Sequence, residues 1–507
     1  MRMKFLSIIS IVVFGILGLL LSSCGLETAS TEESLVEDLP SEESKIDVVS
    51  SPLAVHSFFD TGWDVWNRTD RWNISYCVQQ GVWNRHRPRL LTMLHRATSA
   101  WENVCDVRFR HDSIHDATCD ASNTGNVTFN VVHNASTIGS MGYPSYYPNI
   151  LLSLGPIWGW TDEFLLAVLL HELSHGLGFV HEHVRSTDPN RCVDPGADPH
   201  SAVTVYDSHS VTHYPWCPDW SNPVGGTPNY ITHWDIVGAQ RVYEAPTNVL
   251  NDINGRLFAR QRSTGDIYYL DNFTWTPIGG PGQAFVTVGD TLYGLSTGGF
   301  PAVWNGLGQG WTYIGDYKGQ IFNCAEALCA TDGDTGDIAR YDSSKKEWNI
   351  IGEPGSRFAG MRYQGWIFGI GPEQDYTAVH LPGSDHWDPN GGPASELIGG
   401  GYSMWRITPD RDAIEEWSWF ANWTEISDFS GGQLLASDSA LYYKTGDGHI
   451  FEFKPESSSW TYIGGPEEKK AARMYGSYGY LFATSPSDES IFHYRAATRE
   501  WVPYGKP

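Results

Sequence analysis

The sequence predicts two folded units of different class: an α+β unit in the first half of the chain and an all-β unit built from repeats in the second. Three observations carry this. A leucine-rich helical run ending in closely spaced histidines, Leu165 to His183, lies among short strand-like segments. After about residue 247 a Trp-centred unit recurs seven times, at intervals of 36, 37, 39, 36, 37 and 41 residues. At 507 residues the chain exceeds one hydrophobic core, and its 22 Trp and 25 Tyr suit β-rich, surface-binding proteins.

The chain opens with a basic Met1-Arg2-Met3-Lys4, an apolar stretch from Phe5 to Leu21, and Leu21-Ser22-Ser23-Cys24. This reads as an export signal. About 17 apolar residues could also just span a bilayer as an uncut anchor. The small-small-Cys ending resembles the lipobox of bacterial lipoproteins, which implies cleavage before Cys24, a lipid on that residue and a membrane tether through it. The expected location is the bacterial cell envelope, lipid-anchored at the outer membrane, or the exterior. Residues 25 to 50 carry eight acidic side chains, one Lys and no aromatic residue, too little apolar surface to fold, and read as a tether or a propeptide. The formal charge of −26 repels a phosphate backbone and excludes nucleic acid as the general partner.

Seven cysteines follow Cys24, widely spaced and without CxxC pairs, which argues against a structural zinc site and is compatible with disulfides after export. Cys324 with Cys329 and Cys192 with Cys217 are candidate local bridges. The odd count leaves one thiol over.

Within the α+β unit, Trp72 to Cys77 reads as a first strand, Leu90 to Val104 as a first helix and Asn126 to Val132 as an alternating strand. Thr161 is a good N-cap, Asp162 and Glu163 suit a first helical turn, and the leucines that follow demand burial. His171 and His175 stand four apart, so one helix face presents two imidazoles to one metal ion. Glu172 stands beside them. Gly176 and Gly178 let the chain turn back and bring in His181 as a third ligand. Three neutral imidazoles leave one tetrahedral position open, the arrangement of a catalytic zinc site, in which Glu172 serves as general base. Ile231 to Gln240 reads as a closing helix.

His171, Glu172, His175, Gly178 and His181 match the HExxHxxGxxH signature in full, and the unit resembles the metzincin zinc peptidases. Through Phe179, Glu182 and Arg185 it is most similar to the astacins, over roughly residues 56 to 246. The resemblance implies one catalytic Zn2+, a protein or peptide substrate, contact of Glu182 with the N-terminal region of the mature chain, and Tyr214 as the tyrosine that stabilises the tetrahedral oxyanion. It also implies that Asn126 to Val132 is the edge strand along which substrate pairs. Thr212 departs from the clan, standing where a methionine forms the floor beneath the imidazoles. His183, His209 and His213 read as polar neighbours or surface residues.

The repeat cores are Trp275-Thr-Pro-Ile-Gly, Trp311-Thr-Tyr-Ile-Gly, Trp348-Asn-Ile-Ile-Gly, the degenerate Trp387-Asp-Pro-Asn, Trp423-Thr-Glu-Ile, Trp460-Thr-Tyr-Ile-Gly and Trp501-Val-Pro-Tyr-Gly. Each follows short strands such as Leu257–Ala259 and Asp266–Tyr269, split by Gly, Asp and Ser turns. That pattern predicts a β-propeller of about seven blades, with the Trp residues as packing wedges. The unit resembles the tectonin-type repeat, which implies a glycan or protein ligand. The predicted organisation is therefore a signal over residues 1–23, a lipidated Cys and tether over 24–55, a peptidase unit over 56–246 and a propeller over 247–507. Two other functions fit the same residues: an adhesion lipoprotein with an inactive or weakly active metal unit, and a zinc hydrolase acting on non-peptide amides.

Overall fold

The buried stripe of the first helix and the parallel strands beneath it organise the first unit. The computed structural model describes residues 53–58, 62–123, 125–185, 200–214, 217, 230–418, 422–438, 440–454 and 457–507. The export signal, Cys24, most of the acidic tether and Cys192 lie outside them.

Strands β1 (Ala54–Phe58), β2 (Gly62–Trp63), β3 (Ile74–Val78), β4 (Phe109–His111), β5 (Phe129–His133), β6 (Gly139–Met141), β7 (Ile150–Leu154) and β8 (His200–Ala202) accompany helices α1 (Arg87–Glu102), α2 (Asp162–Gly176) and α3 (His233–Tyr243). Five strands form a mixed sheet in the order β4-β3-β5-β7-β6, parallel except for β6. Leu90, Met93, Leu94, Ala97 and Trp101 recur every three or four residues along α1 and are buried in the core shared with α2. From Leu165 to Gly176, α2 is buried on every side.

Two expectations change here. The alternating segment ending in Val132 is no edge: β5 pairs on both sides, with β3 and β7, and a strand enclosed in that way reads as a run of buried residues. The edges are the short β4 and β6. The folded chain also starts ahead of residue 56, because Leu53, Ala54 and Val55 are fully buried and β1 pairs with β8.

Seven four-stranded antiparallel sheets follow, each a meander of consecutive strands, spanning Val249–Gly279, Gly282–Tyr313, Lys318–Gly352, Arg357–Gly391, Glu396–Asp428, Gly432–Tyr462 and Met474–Gly505. They are the seven blades of a β-propeller, blades 1 to 7. The repeated Trp residues act between blades: the indole N–H of Trp311, Trp348, Trp387 and Trp423 donates to the carbonyl of Ile278, Ile314, Ile351 and Asn390, each on the preceding blade. Degenerate blade 4 keeps this contact because a backbone carbonyl accepts whatever side chain stands there. The ring closes without exchanging a strand. Trp275 donates to Tyr504 O at 3.2 Å, and Asn251 and Ser477 exchange three hydrogen bonds between the first and last blades.

The two architectures meet over a buried polar surface. Arg71 pairs with Asp106 at 2.8 Å and Glu244 at 2.6 Å, while Arg260 of blade 1 lies 3.4 Å from Glu244 and 3.7 Å from Asp106. Arg473 of blade 7 donates to Val107 O at 2.6 Å, and Arg96 of α1 reaches the carbonyls of Asp410 and Phe429. Disulfides join Cys77 to Cys119 and Cys324 to Cys329; Cys217 is also disulfide-bonded, and among the described residues the free thiol is the buried Cys105.

Candidate metal centre

Thr161 caps α2 by accepting the Phe164 amide, as its sequence position predicts, and the helix then delivers His171 and His175 to one face. Termination is built from two side chains and a glycine. Trp66 donates to Gly176 O at 2.7 Å and Tyr243 donates to Leu177 O at 2.6 Å, satisfying carbonyls that the helix end would orphan. Gly178 has φ +92°, and a Cβ there would stand 2.2 Å from Asp64 O, so glycine is required both by the turn and by the close approach. Beyond it, Phe179 bridges to Val55 and the Val180 amide donates to Ala54 O at 2.9 Å. Strand β1 thus fixes the segment that carries His181. Sequence patterns gave no sign of the parts played by Trp66, Tyr243 or β1.

His171, His175 and His181 come together, with His175 Nε2 3.2 Å from the Nε2 atoms of both others. The Nδ1 of His171 lies 2.8 Å from Val211 O, and that of His175 2.7 Å from Phe179 O. A carbonyl only accepts, so each Nδ1 carries the proton and each neutral ring turns a bare Nε2 lone pair inward. Lone pairs facing each other at this distance call for a cation. An imidazolium is disfavoured, because burial and the neighbouring His175 push His171 down to about 3, and burial lowers His181 further. Zinc bound tetrahedrally at about 2.0–2.1 Å sets its nitrogens about 3.3–3.4 Å apart, which the observed spacing fits.

Glu172, the next residue after His171, lies against β6. A Cβ on Gly139 would lie 2.6 Å from Glu172 Oε1, and the Met141 amide donates to the carboxylate. Burial nevertheless raises the group to about 8, well above the usual carboxylate range. Tyr214 lies beside the triad, its ring centroid 4.3 Å from those of His181 and His183 and 5.7 Å from that of His171. Of the five sequence-predicted site residues, the three histidines and Tyr214 lie together, and Glu172 follows His171 on α2.

The surrounding residues form a polar floor. Thr212 is fully buried, and its hydroxyl lies 2.9 Å from that of Ser210, which donates to Asp235 at 2.6 Å. His183 stacks on Tyr214, His213 Nε2 lies 2.9 Å from the Tyr206 hydroxyl, and His209 lies 3.4 Å from Glu373 of blade 4. Glu182 is fully buried, accepting from Arg185 at 2.9 Å and from the Asp207 amide at 3.0 Å.

No known family profile matches the chain, and no curated protein matches it in sequence. Among solved structures, a streptogramin B lyase is 12% identical with a TM-score of 0.37, covering 49% of this chain and 89% of its own. The protein YCF48 from Cyanidioschyzon merolae is 10% identical with a TM-score of 0.35, covering 47% of this chain and 91% of its own. A virginiamycin B lyase from Staphylococcus aureus is 8% identical with a TM-score of 0.37, covering 47% of this chain and 90% of its own.

Proposed function

We propose that the protein is a zinc-dependent endopeptidase: an astacin-like metzincin unit joined to a recognition propeller, on a chain anchored in the bacterial cell envelope through lipid on Cys24. The observation that carries this is the convergence of three imidazoles, with His175 Nε2 3.2 Å from the Nε2 atoms of His171 and His181, on the helix that also carries the buried carboxylate of Glu172. When bound, zinc supplies Lewis acidity that polarises a carbonyl and acidifies water.

The chain supplies the rest. Carbonyls of Val211 and Phe179 keep His171 and His175 in one tautomer, so both rings are oriented before any ligand arrives. Glu172 takes the proton of the attacking water and returns it to the leaving amine. The Tyr214 hydroxyl donates to the oxyanion that develops. The outer side of β6, at the sheet edge and against Glu172, accepts an extended peptide by strand addition, which favours a polypeptide over a compact amide substrate. The propeller, a ring of blades with no catalytic motif in its repeats, binds a protein or glycan and directs the peptidase to it.

The test compares the purified protein with Glu172→Ala for zinc content and casein hydrolysis. One zinc in each with cleavage by the wild type alone is the expected result. Zinc in both without cleavage of any protein by either would give way to the binding-lipoprotein reading, and cleavage of cell-wall amides alone to the non-peptide hydrolase.

A further inference from the structure

The turn between the second and third strands of each blade contains one residue with a left-handed backbone. In four blades it is glycine: Gly265, Gly299, Gly336 and Gly448, with φ between +80° and +94°. In blades 4, 5 and 7 it is Gln374, Arg411 and Glu489, with φ of +56°, +55° and +65°. A side chain at a position that favours glycine calls for a reason. Arg411 and Glu489 find theirs within the propeller, pairing with Glu396 and Arg262. Gln374 does not. It is only 4% exposed, and its amide donates to Ile231 O, in the first unit, at 3.0 Å.

Ile231 leads directly into the polar floor of the metal centre. Thr232, the next residue, caps α3, donates its hydroxyl to Asp207 at 2.7 Å and donates its amide to Asp235 at 3.0 Å. Asp235 also accepts the Val211 amide at 3.0 Å, and the Val211 carbonyl accepts the Nδ1 proton of His171 at 2.8 Å. On the other side of that segment, Glu373 lies 3.4 Å from His209 Nε2, and the His209 amide donates to Asp207 at 2.9 Å. Two adjacent residues of blade 4 thus reach the segment 207–214, Glu373 directly at His209 and Gln374 through Ile231 and Thr232, whose partners Asp207 and Asp235 fix the start of the segment and Val211.

We propose that Gln374, seconded by Glu373, is a positioning residue of the metal centre, so that the propeller forms part of the scaffold that orients His171 and Tyr214. This rests on the zinc-site reading above. It adds that the repeat unit is more than a targeting module and that the peptidase unit is incomplete without blade 4.

The discriminating variant is Gln374→Gly in the full-length protein, which removes the side chain while giving the turn the residue that four other blades use. Glu489→Gly, at the same turn position of blade 7, is the control. Zinc affinity is measured by competition with a chelator, the ligand field by the visible spectrum of the cobalt-substituted protein, and folding by the thermal midpoint. Expected for Gln374→Gly are zinc binding weaker by about tenfold or more, an altered cobalt spectrum, a fall in kcat greater than the change in KM, and an unchanged midpoint of the metal-free protein; Glu489→Gly keeps the wild-type zinc affinity and spectrum. A wild type with one zinc and a Gln374→Gly variant within twofold of its affinity, with the same spectrum, overturns this proposal alone. A wild type that takes up no zinc overturns both it and the reading on which it rests.

Discussion

His171 and His175 owe their readiness for a metal ion to two carbonyl oxygens, and that dependence sets what single substitutions do. Chelation should lower the thermal midpoint of the wild type, since zinc at a hundred times its dissociation constant stabilises a fold by about 2.7 kcal/mol. His175→Ala should remove that sensitivity; an equal response to chelator in both proteins would place the metal elsewhere. Tyr214→Phe should keep zinc and lower kcat about a hundredfold if its hydroxyl meets the oxyanion; an unchanged kcat would reduce Tyr214 to a packed ring. Gly178→Ala should destabilise the protein by at least about 1 kcal/mol, seen in denaturant unfolding, because the new Cβ meets both the positive φ and Asp64 O. The convergence of the three histidines was legible in the sequence because spacing along a helix and a glycine turn fix it locally. Trp66, Tyr243 and the Gly139 approach were not, since each acts on a residue distant in the chain, a relation that local patterns do not encode.

Among the elements, the Trp wedges divide into two kinds. Trp311 donates its indole N–H to Ile278 O, whereas the indole nitrogen of Trp460 is buried without a hydrogen-bond partner. Trp311→Phe should therefore cost about 1 kcal/mol more than Trp460→Phe, the net worth of a typical hydrogen bond, over and above the packing both lose. Equal losses in denaturant unfolding would show that packing alone governs the wedge. The blades were readable from a single chain because each repeat states its own turns and strands. The order of strands in the first sheet was not: β5 alternates in its residues as an edge strand does, yet parallel neighbours on both sides enclose it, and β6 is too short and glycine-containing to announce itself.

For the whole molecule, the charges buried between the two architectures argue against independent halves. Asp106 and Glu244 are shared by Arg71 of the first unit and Arg260 of the propeller, and the burial of every member means that losing one charge leaves others unpaired. Asp106→Asn should cost about 3–5 kcal/mol and lower the whole protein's unfolding transition, read by calorimetry as a shift of one peak; two separate peaks in the wild type would contradict that coupling. None of this clamp was legible beforehand, because Arg71, Asp106 and Arg260 carry no motif and meet only after both units have folded.

The central claim is that three imidazoles bind one metal ion, and anomalous X-ray scattering recorded on either side of the zinc absorption edge from crystals of the zinc-loaded protein tests it most directly. The account predicts one strong peak at about 2.0–2.1 Å from the Nε2 atoms of His171, His175 and His181. A zinc-loaded protein with no peak among those nitrogens, or with its only peak at other residues, would contradict it.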